Sequence, residues 1–209
     1  MEEITKEQLT SLENVARASA TRAGEALSKL IGIPVKLEIM RTRVVEVKHL
    51  ASLLASPEDS VSAVLLLVTG KDNMGSSALI SSLEESHRLA ELVMKRPKGS
   101  LTKLDALATS AITETANIIG GAFLSVLSDT TGISLVQSVP ILLTATMQEV
   151  VDTVIAKLHD EDSKLSVAFE IDFELSITTT TTTTEKIITH YIFLLQVVFA
   201  QKLLEALEK

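Results

Sequence analysis

The residues of this chain best placed to do chemistry stand in one stretch: Ser110, Glu114, Asn117 and Gly121, separated by four, three and four positions. At about 100° per residue of an α-helix, these four directions fall within an arc of about 60° and form one polar, small-residue stripe. A carboxylate beside a carboxamide on such a stripe offers a charge for a cationic group and an amide that both donates and accepts hydrogen bonds. The neighbouring Leu107, Ala111, Ile112, Ile118, Ala122, Val126 and Leu127 are apolar and are expected to supply the buried side. Gly120-Gly121 in mid-helix costs about 1 kcal/mol per glycine relative to alanine. Close approach of another surface to the backbone is one reason to bear that cost. Either a docking partner beside Asn117 or tight packing on another long helix would account for it.

Composition excludes much other chemistry. The chain has 209 residues and no cysteine, which removes disulfides, thiolate nucleophiles and Cys-ligated zinc. His49, His87, His159 and His190 share no ligand spacing, and the acidic run Asp160-Glu161-Asp162 lacks a ligand pattern, so it reads as a solvated loop. With 19 Lys plus Arg against 27 Asp plus Glu, the net charge is −8, the wrong sign for a phosphate-backbone groove. Aromatic residues are only 3%, so stacking platforms for bases are poorly supplied and no nucleic-acid partner is expected. The first twenty residues are acidic and amphipathic where an export signal would be basic and then apolar. The longest apolar runs, Val64 to Val68 and Tyr191 to Leu195, fall far below the roughly 18 residues of a membrane span. A cytoplasmic protein without membrane insertion is the expectation.

The elements that must position the stripe follow from periodicity and turn chemistry. Thr5 and Gln8 have the form of a capping box at the head of an amphipathic helix that ends near Gly32. Residues 33–47 read as a strand or a bent pair of strands, and residues 48–59 as a short helix and loop closed by Pro57. Residues 60–69 and 76–81 form a hairpin around Gly70-Lys71-Asp72-Asn73, followed by a helix over 83–95 with Leu83, Leu89, Leu92 and Val93 inward. Arg96-Pro97-Lys98-Gly99-Ser100 breaks that helix and is the best linker candidate. The order then repeats: a long helix over 101–131, a strand over 133–143, a short helix over 147–158, strands over 165–177 and 187–195, and a closing helix over 197–208 whose Val198, Phe199, Leu203 and Leu207 face the core.

A shift of 100 positions superposes Gly32-Ile33 on Gly132-Ile133, Leu27-Ser28 on Leu127-Ser128 and Ala16 on Ala116. These identities cluster at the helix end and the helix-to-strand joint, where backbone geometry restricts residue choice. The expected architecture is therefore an α/β (α+β) fold made by a pseudo-twofold repeat of an α-β-β-β-α unit. The halves, 1–97 and 98–209, would share one largely antiparallel sheet and pack their two long helices together. The seven threonines Thr178 to Thr184 occupy the place of the first hairpin's turn and are expected to extend the hairpin arms into a mobile tip.

Ser110, Glu114 and Asn117, followed after twenty-two residues by Pro140, fix four positions over 31 residues. In that helix-then-strand context the pattern resembles the CheC/CheX/FliY phosphatases of bacterial and archaeal chemotaxis, and the two-halved length is most like CheC. CheX-type members are shorter with one site, and the flagellar-switch segments of FliY-type members are not found here. The resemblance implies dephosphorylation of the phospho-aspartyl response regulator CheY, with the Asn117 amide orienting a water and Glu114 pairing with a lysine of the regulator. Ser110 would hold the first position of the motif and Pro140 would be structural. The chain would need no cofactor of its own, Mg²⁺ and the acyl phosphate arriving on the partner. The receptor deamidase CheD is a further partner that the resemblance implies, at a surface the motif does not place.

The first half departs from the pattern. The positions offset by 100 are Thr10, Asn14, Arg17 and Met40, and a guanidinium has donors but no acceptor, so Arg17 cannot orient water as an amide does. A single active site, in the second half, is the expectation. Asn14 and Arg17 could still bind a phosphate or an acidic partner, although a surface helix charge is the favoured reading of Arg17. The alternative function is a non-catalytic adaptor that binds CheY or CheD without turnover.

Overall fold

The computed structural model describes residues 5–46, 49–70, 73–157, 167–178 and 184–208. Helix α1 (Lys6–Ile31) starts on the Thr5–Gln8 capping box and stops at Gly32, whose φ of 79° no side-chain-bearing residue adopts without strain. Strand β1 (Val35–Glu46) follows, bent where the pairing register shifts between Ile39 and Arg41. A short helix α2 (Leu50–Leu54) leads to the hairpin β2 (Ser60–Gly70) and β3 (Asn73–Ser82), then to helix α3 (Leu83–Val93). Residues 71 and 72, at the expected turn, lie outside the described residues.

Helix α4 (Ala106–Thr131) begins five residues later than the periodicity implies. Asp105 accepts a hydrogen bond from the Ala108 N–H at 2.9 Å and so caps the helix there, leaving residues 101–105 irregular. Like α1, α4 has 26 residues and ends on a glycine in the left-handed region, Gly132 with a φ of 72°. The strand expected over 133–143 is two strands, β4 (Val136–Gln137) and β5 (Ile141–Thr146). Pro140 lies between them and has no N–H to continue a ladder. Helix α5 (Met147–Lys157), the hairpin β6 (Val167–Thr178) and β7 (Thr184–Leu195), and helix α6 (Val197–Ala206) complete the chain. Thr178 pairs with Thr184, so the ends of the threonine run do extend the hairpin arms, and residues 179–183 lie outside the described residues. So do His159 and the run Asp160-Glu161-Asp162.

The seven described strands make one antiparallel sheet in the order β1-β6-β7-β3-β2, with β4 and β5 sharing the outer edge of β2. The fold class is therefore α/β (α+β), as expected. The first strand of each half pairs with the hairpin of the other half: β1 with β6, and β5 with β2. Strand β2 is buried on both faces, which is why it reads as an unbroken apolar run. On one side Val64, Leu66 and Val68 join a core with α1, α3, α4 and α6; on the other Val61, Ala63 and Leu65 meet α2 and α5. Helix α4 is long and apolar enough to cross a membrane by length and composition, yet 61% of that stretch is buried inside the fold. Of the closing helix's apolar residues, Phe199, Leu203 and Leu207 are buried, whereas Val198 is 64% exposed.

The linker candidate is tied down. Glu91 on α3 is 1% exposed and accepts hydrogen bonds from the N–H groups of Gly99, at 3.0 Å, and Leu101, at 2.9 Å, while Arg88 lies 3.3 Å away. Burial pushes the Glu91 carboxyl pKa up, but the Leu101 and Gly99 N–H groups and Arg88 together outweigh it and hold the pKa below the ordinary value. A depressed pKa gives stability that is present above the unfolded value of about 4.3 and lost as pH falls through the folded value. Glu91→Gln should therefore lower unfolding stability by about 1–3 kcal/mol at pH 7, because the amide cannot accept from both N–H groups. Urea titrations at pH 7 and pH 3.5 should show the gap to wild type shrinking at the lower pH.

Candidate active site on the second long helix

Because α4 packs against α1, α3 and the sheet, its buried residues run along Ala108, Ile112, Thr115, Ala116, Ile119, Phe123 and Leu127. The remaining arc carries the stripe. Ser110 and Glu114 are exposed, and Asn117 and Gly121 are half-buried, on the same face as predicted from spacing. Glu114 has no ion-pair partner among the described residues. Leu107, expected on the buried side, is instead 64% exposed at the head of the same face.

The tight packing on another long helix expected at Gly120-Gly121 is not what lies against these glycines. The surface that approaches the helix is the chain's own β4. The Gln137 side chain lies over both glycines: a Cβ on Gly120 would stand 2.8 Å from Gln137 Oε1, and one on Gly121 would stand 3.4 Å from Gln137 Nε2. The Gln137 amide N–H₂ donates to the Asn117 backbone carbonyl at 2.9 Å and to Asn117 Oδ1 at 2.6 Å. The spacing argument missed Gln137 altogether; the glycine pair was its one sequence-level trace.

Strand β4 is held where it can do this. Val136 and Gln137 pair with Thr69 and Val68 of β2, the Ser138 N–H donates to the Leu67 carbonyl at 2.8 Å, and the Leu67 N–H donates to Ser138 Oγ at 3.0 Å. Pro140 then separates this anchored piece from β5. Beneath Gly120, Tyr191 is fully buried; burial raises its phenol pKa far above the ordinary value, with a hydrogen bond to Ser77 opposing. Its ring packs on Phe123 at 5.2 Å between centroids, and Phe123 packs on Phe193 at 5.4 Å. The floor of the site is thus aromatic and rigid.

The stripe is a convex helix face with only a shallow groove beside it, about 430 Å³, running from Gly121 to Asp129 and along residues 134–137. A recess of about 590 Å³ lies elsewhere, under α3, lined by Arg88, Glu91, Lys98 and Lys186 among others. Exposed Val136 (63%) and Val139 (82%) flank Gln137 in sequence. Among the described residues no three His, Asp or Glu side chains gather as a metal site. In the first half Asn14 and Arg17 are exposed on α1, and Met40 is 55% exposed at the bend of β1. Arg22, further along α1, hydrogen-bonds across to α4 at Ser125 and Asp129.

No family model matches the chain. It is similar in sequence to the protein named CheY-P phosphatase CheC of Bacillus subtilis (strain 168), 24% identical over 139 residues, covering 66% of this chain and 66% of that relative, just under two thirds of its length. In structure it resembles Thermotoga maritima FliY over 100% of both chains, with a TM-score of 0.75 at 18% identity. The chain is thus similar to CheC in sequence and to FliY in fold. The same fold extends to the FliM middle domain of H. pylori, with a TM-score of 0.64 at 11% identity over 97% of this chain and 99% of that one. Within a fold like that of FliY, then, this chain places its carboxylate and carboxamide on an open helix face.

The two glycines should respond differently to alanine. Gly121→Ala meets only ordinary contact and should gain about 0.5–1 kcal/mol from helix propensity. Gly120→Ala must push the Gln137 amide aside and should gain markedly less. Urea denaturation of the two variants side by side measures the difference.

Proposed function

We propose that this chain is a phosphatase of the CheC type, which removes phosphate from the aspartyl phosphate of a CheY-type response regulator. The observation that carries the reading is the Asn117 carboxamide, half-buried and hydrogen-bonded, one helical turn from exposed Glu114 on an open face. A convex face suits a substrate that is itself a protein surface. Asn117 would hold a water in line with the P–O bond to the regulator's aspartate. The water oxygen bonds to phosphorus, the aspartate carboxylate leaves, and the water's proton goes to the released inorganic phosphate. Such a loose transfer needs positioning and charge stabilisation more than a strong base, so a neutral amide suffices.

Glu114 would pair with a lysine of the regulator and Ser110 would line the approach. The regulator would bring Mg²⁺ with its phosphate, and this chain would supply no metal ligand. Exposed Leu107, Val136 and Val139 support contact with a protein rather than with a small molecule. We further propose that the chain acts in the cytoplasm and that residues 1–97 and 98–209 are two copies of one unit. The equal lengths of α1 and α4 and the exchanged strand pairings support that duplication. The active site is proposed for the second copy alone, since Arg17 stands where the amide would be.

A second reading has support from the FliM-like fold and from the incomplete first half: a binding module that engages a regulator, or CheD, without turnover. Phosphate release from a phosphorylated CheY-type regulator in Mg²⁺ separates the two. The phosphatase reading expects wild type to accelerate release. Asn117→Ala should lower kcat by about 10²-fold or more with the circular dichroism spectrum unchanged. Glu114→Ala should raise KM about tenfold, a loss of about 1.4 kcal/mol in binding. Binding of the regulator with no acceleration by wild type would favour the adaptor.

A further inference from the structure

We infer that Gln137 is the positioning residue for Asn117, setting which end of the Asn117 carboxamide faces the regulator. This rests on the reading of Asn117 as the water-orienting group. One acceptor beside Gln137 has a fixed identity. The Asn117 backbone carbonyl can only accept, so the Gln137 amide must present its N–H₂ there, 2.9 Å away. The second hydrogen of that N–H₂ then needs an acceptor of its own. Asn117 Oδ1, 2.6 Å away, supplies it, so the Asn117 carboxamide is held with its oxygen toward Gln137. The backbone thus orients Gln137, and Gln137 orients Asn117. What remains for a ligand is the Asn117 N–H₂ and one lone pair of Oδ1: a donor and an acceptor together, as a water held between them requires.

The surroundings serve the same arrangement. Gln137 Oε1 occupies the space that a Gly120 side chain would fill, and it is buried with no hydrogen-bond partner among the described residues. Leaving that oxygen unsatisfied opposes folding, by about 1–3 kcal/mol for a buried polar atom. Two mid-helix glycines oppose it as well. A core built for stability alone would place an apolar side chain at 137 and alanine at 120. Strand β4 is also only two residues long, yet it is pinned to β2 by Ser138 on both its N–H and its hydroxyl, so Gln137 projects from a fixed point.

The test uses the full-length protein and a CheY-type regulator phosphorylated with phosphoramidate in Mg²⁺. Gln137→Ala should lower kcat about 10–100-fold while KM stays within about twofold and the urea midpoint stays near wild type. Gln137→Glu should be inactive at neutral pH, where a carboxylate faces two acceptors, and should regain kcat relative to wild type as it is protonated and can donate. Neither wild type nor Gln137→Ala should share that acid-shifted profile. Full kcat in Gln137→Ala with an inert Asn117→Ala would overturn the positioning role and leave the phosphatase reading standing. If wild type itself does not accelerate phosphate release, that reading fails. Gln137 is then judged by the ¹⁵N–¹H resonances of the Asn117 side-chain amide: their displacement in Gln137→Ala sustains the positioning role, and their constancy overturns it.

Discussion

The separation between β4 and the backbone of α4 at Gly120 controls the geometry of the site. A Cβ there would lie 2.8 Å from the Gln137 amide oxygen, so the Gln137 side chain can lie flat on the helix here only because Gly120 has none. The same few residues form the roof of an aromatic cluster in which Tyr191 and Phe193 of β7 meet Phe123 of α4. Helix α4 is thus held from below by close-packed rings and from the side by a short, anchored strand. Its polar stripe inherits that rigidity. An amide on a flexible loop would sample many orientations, whereas one on a buried helix with its oxygen already hydrogen-bonded samples few.

The sheet distributes this constraint through the whole chain. Because β1 pairs with β6 and β5 with β2, neither half completes its own part of the sheet, and the β3–β7 pairing joins the two hairpins at the centre. Glu91 adds a local tie at the connection between the halves, drawing the N–H groups of Gly99 and Leu101 onto the end of α3. That carboxylate fixes how the chain leaves the first half and so where Asp105 can start α4. The direction of the stripe is then set by the apolar arc of α4 that packs on α1, α3 and the sheet.

The likeness to CheC in sequence and to FliY in fold accords with an open helix face. Enzymes that handle small molecules usually enclose them in concave pockets. Here the stripe is exposed and the larger recess lies elsewhere, under α3. The fold, shared with FliY and the FliM middle domain, here presents an exposed face on each long helix. Only the α4 face carries the amide and carboxylate pair. On α1 the corresponding positions hold Asn14 and Arg17, both solvent-exposed.

Several features were legible in the sequence because they depend on local forces. The Thr5–Gln8 box, the glycines that end both long helices, the two hairpins and the stripe of Ser110, Glu114, Asn117 and Gly121 follow from capping, left-handed backbone geometry and a period of 3.6 residues. Other features were decided only by tertiary structure. The break at residues 138–140 required β2 to offer its edge in two separate pieces. The exposure of Leu107 and Val198 depended on how far the core reaches along each helix. The reason for Gly120-Gly121 was invisible because Gln137 lies seventeen residues away from Gly120 in sequence, on another element. Spacing along one helix determines which side chains share a face, since the helix repeat is a property of the backbone. What touches that face depends on long-range packing, which brings Gln137 of β4 against Asn117.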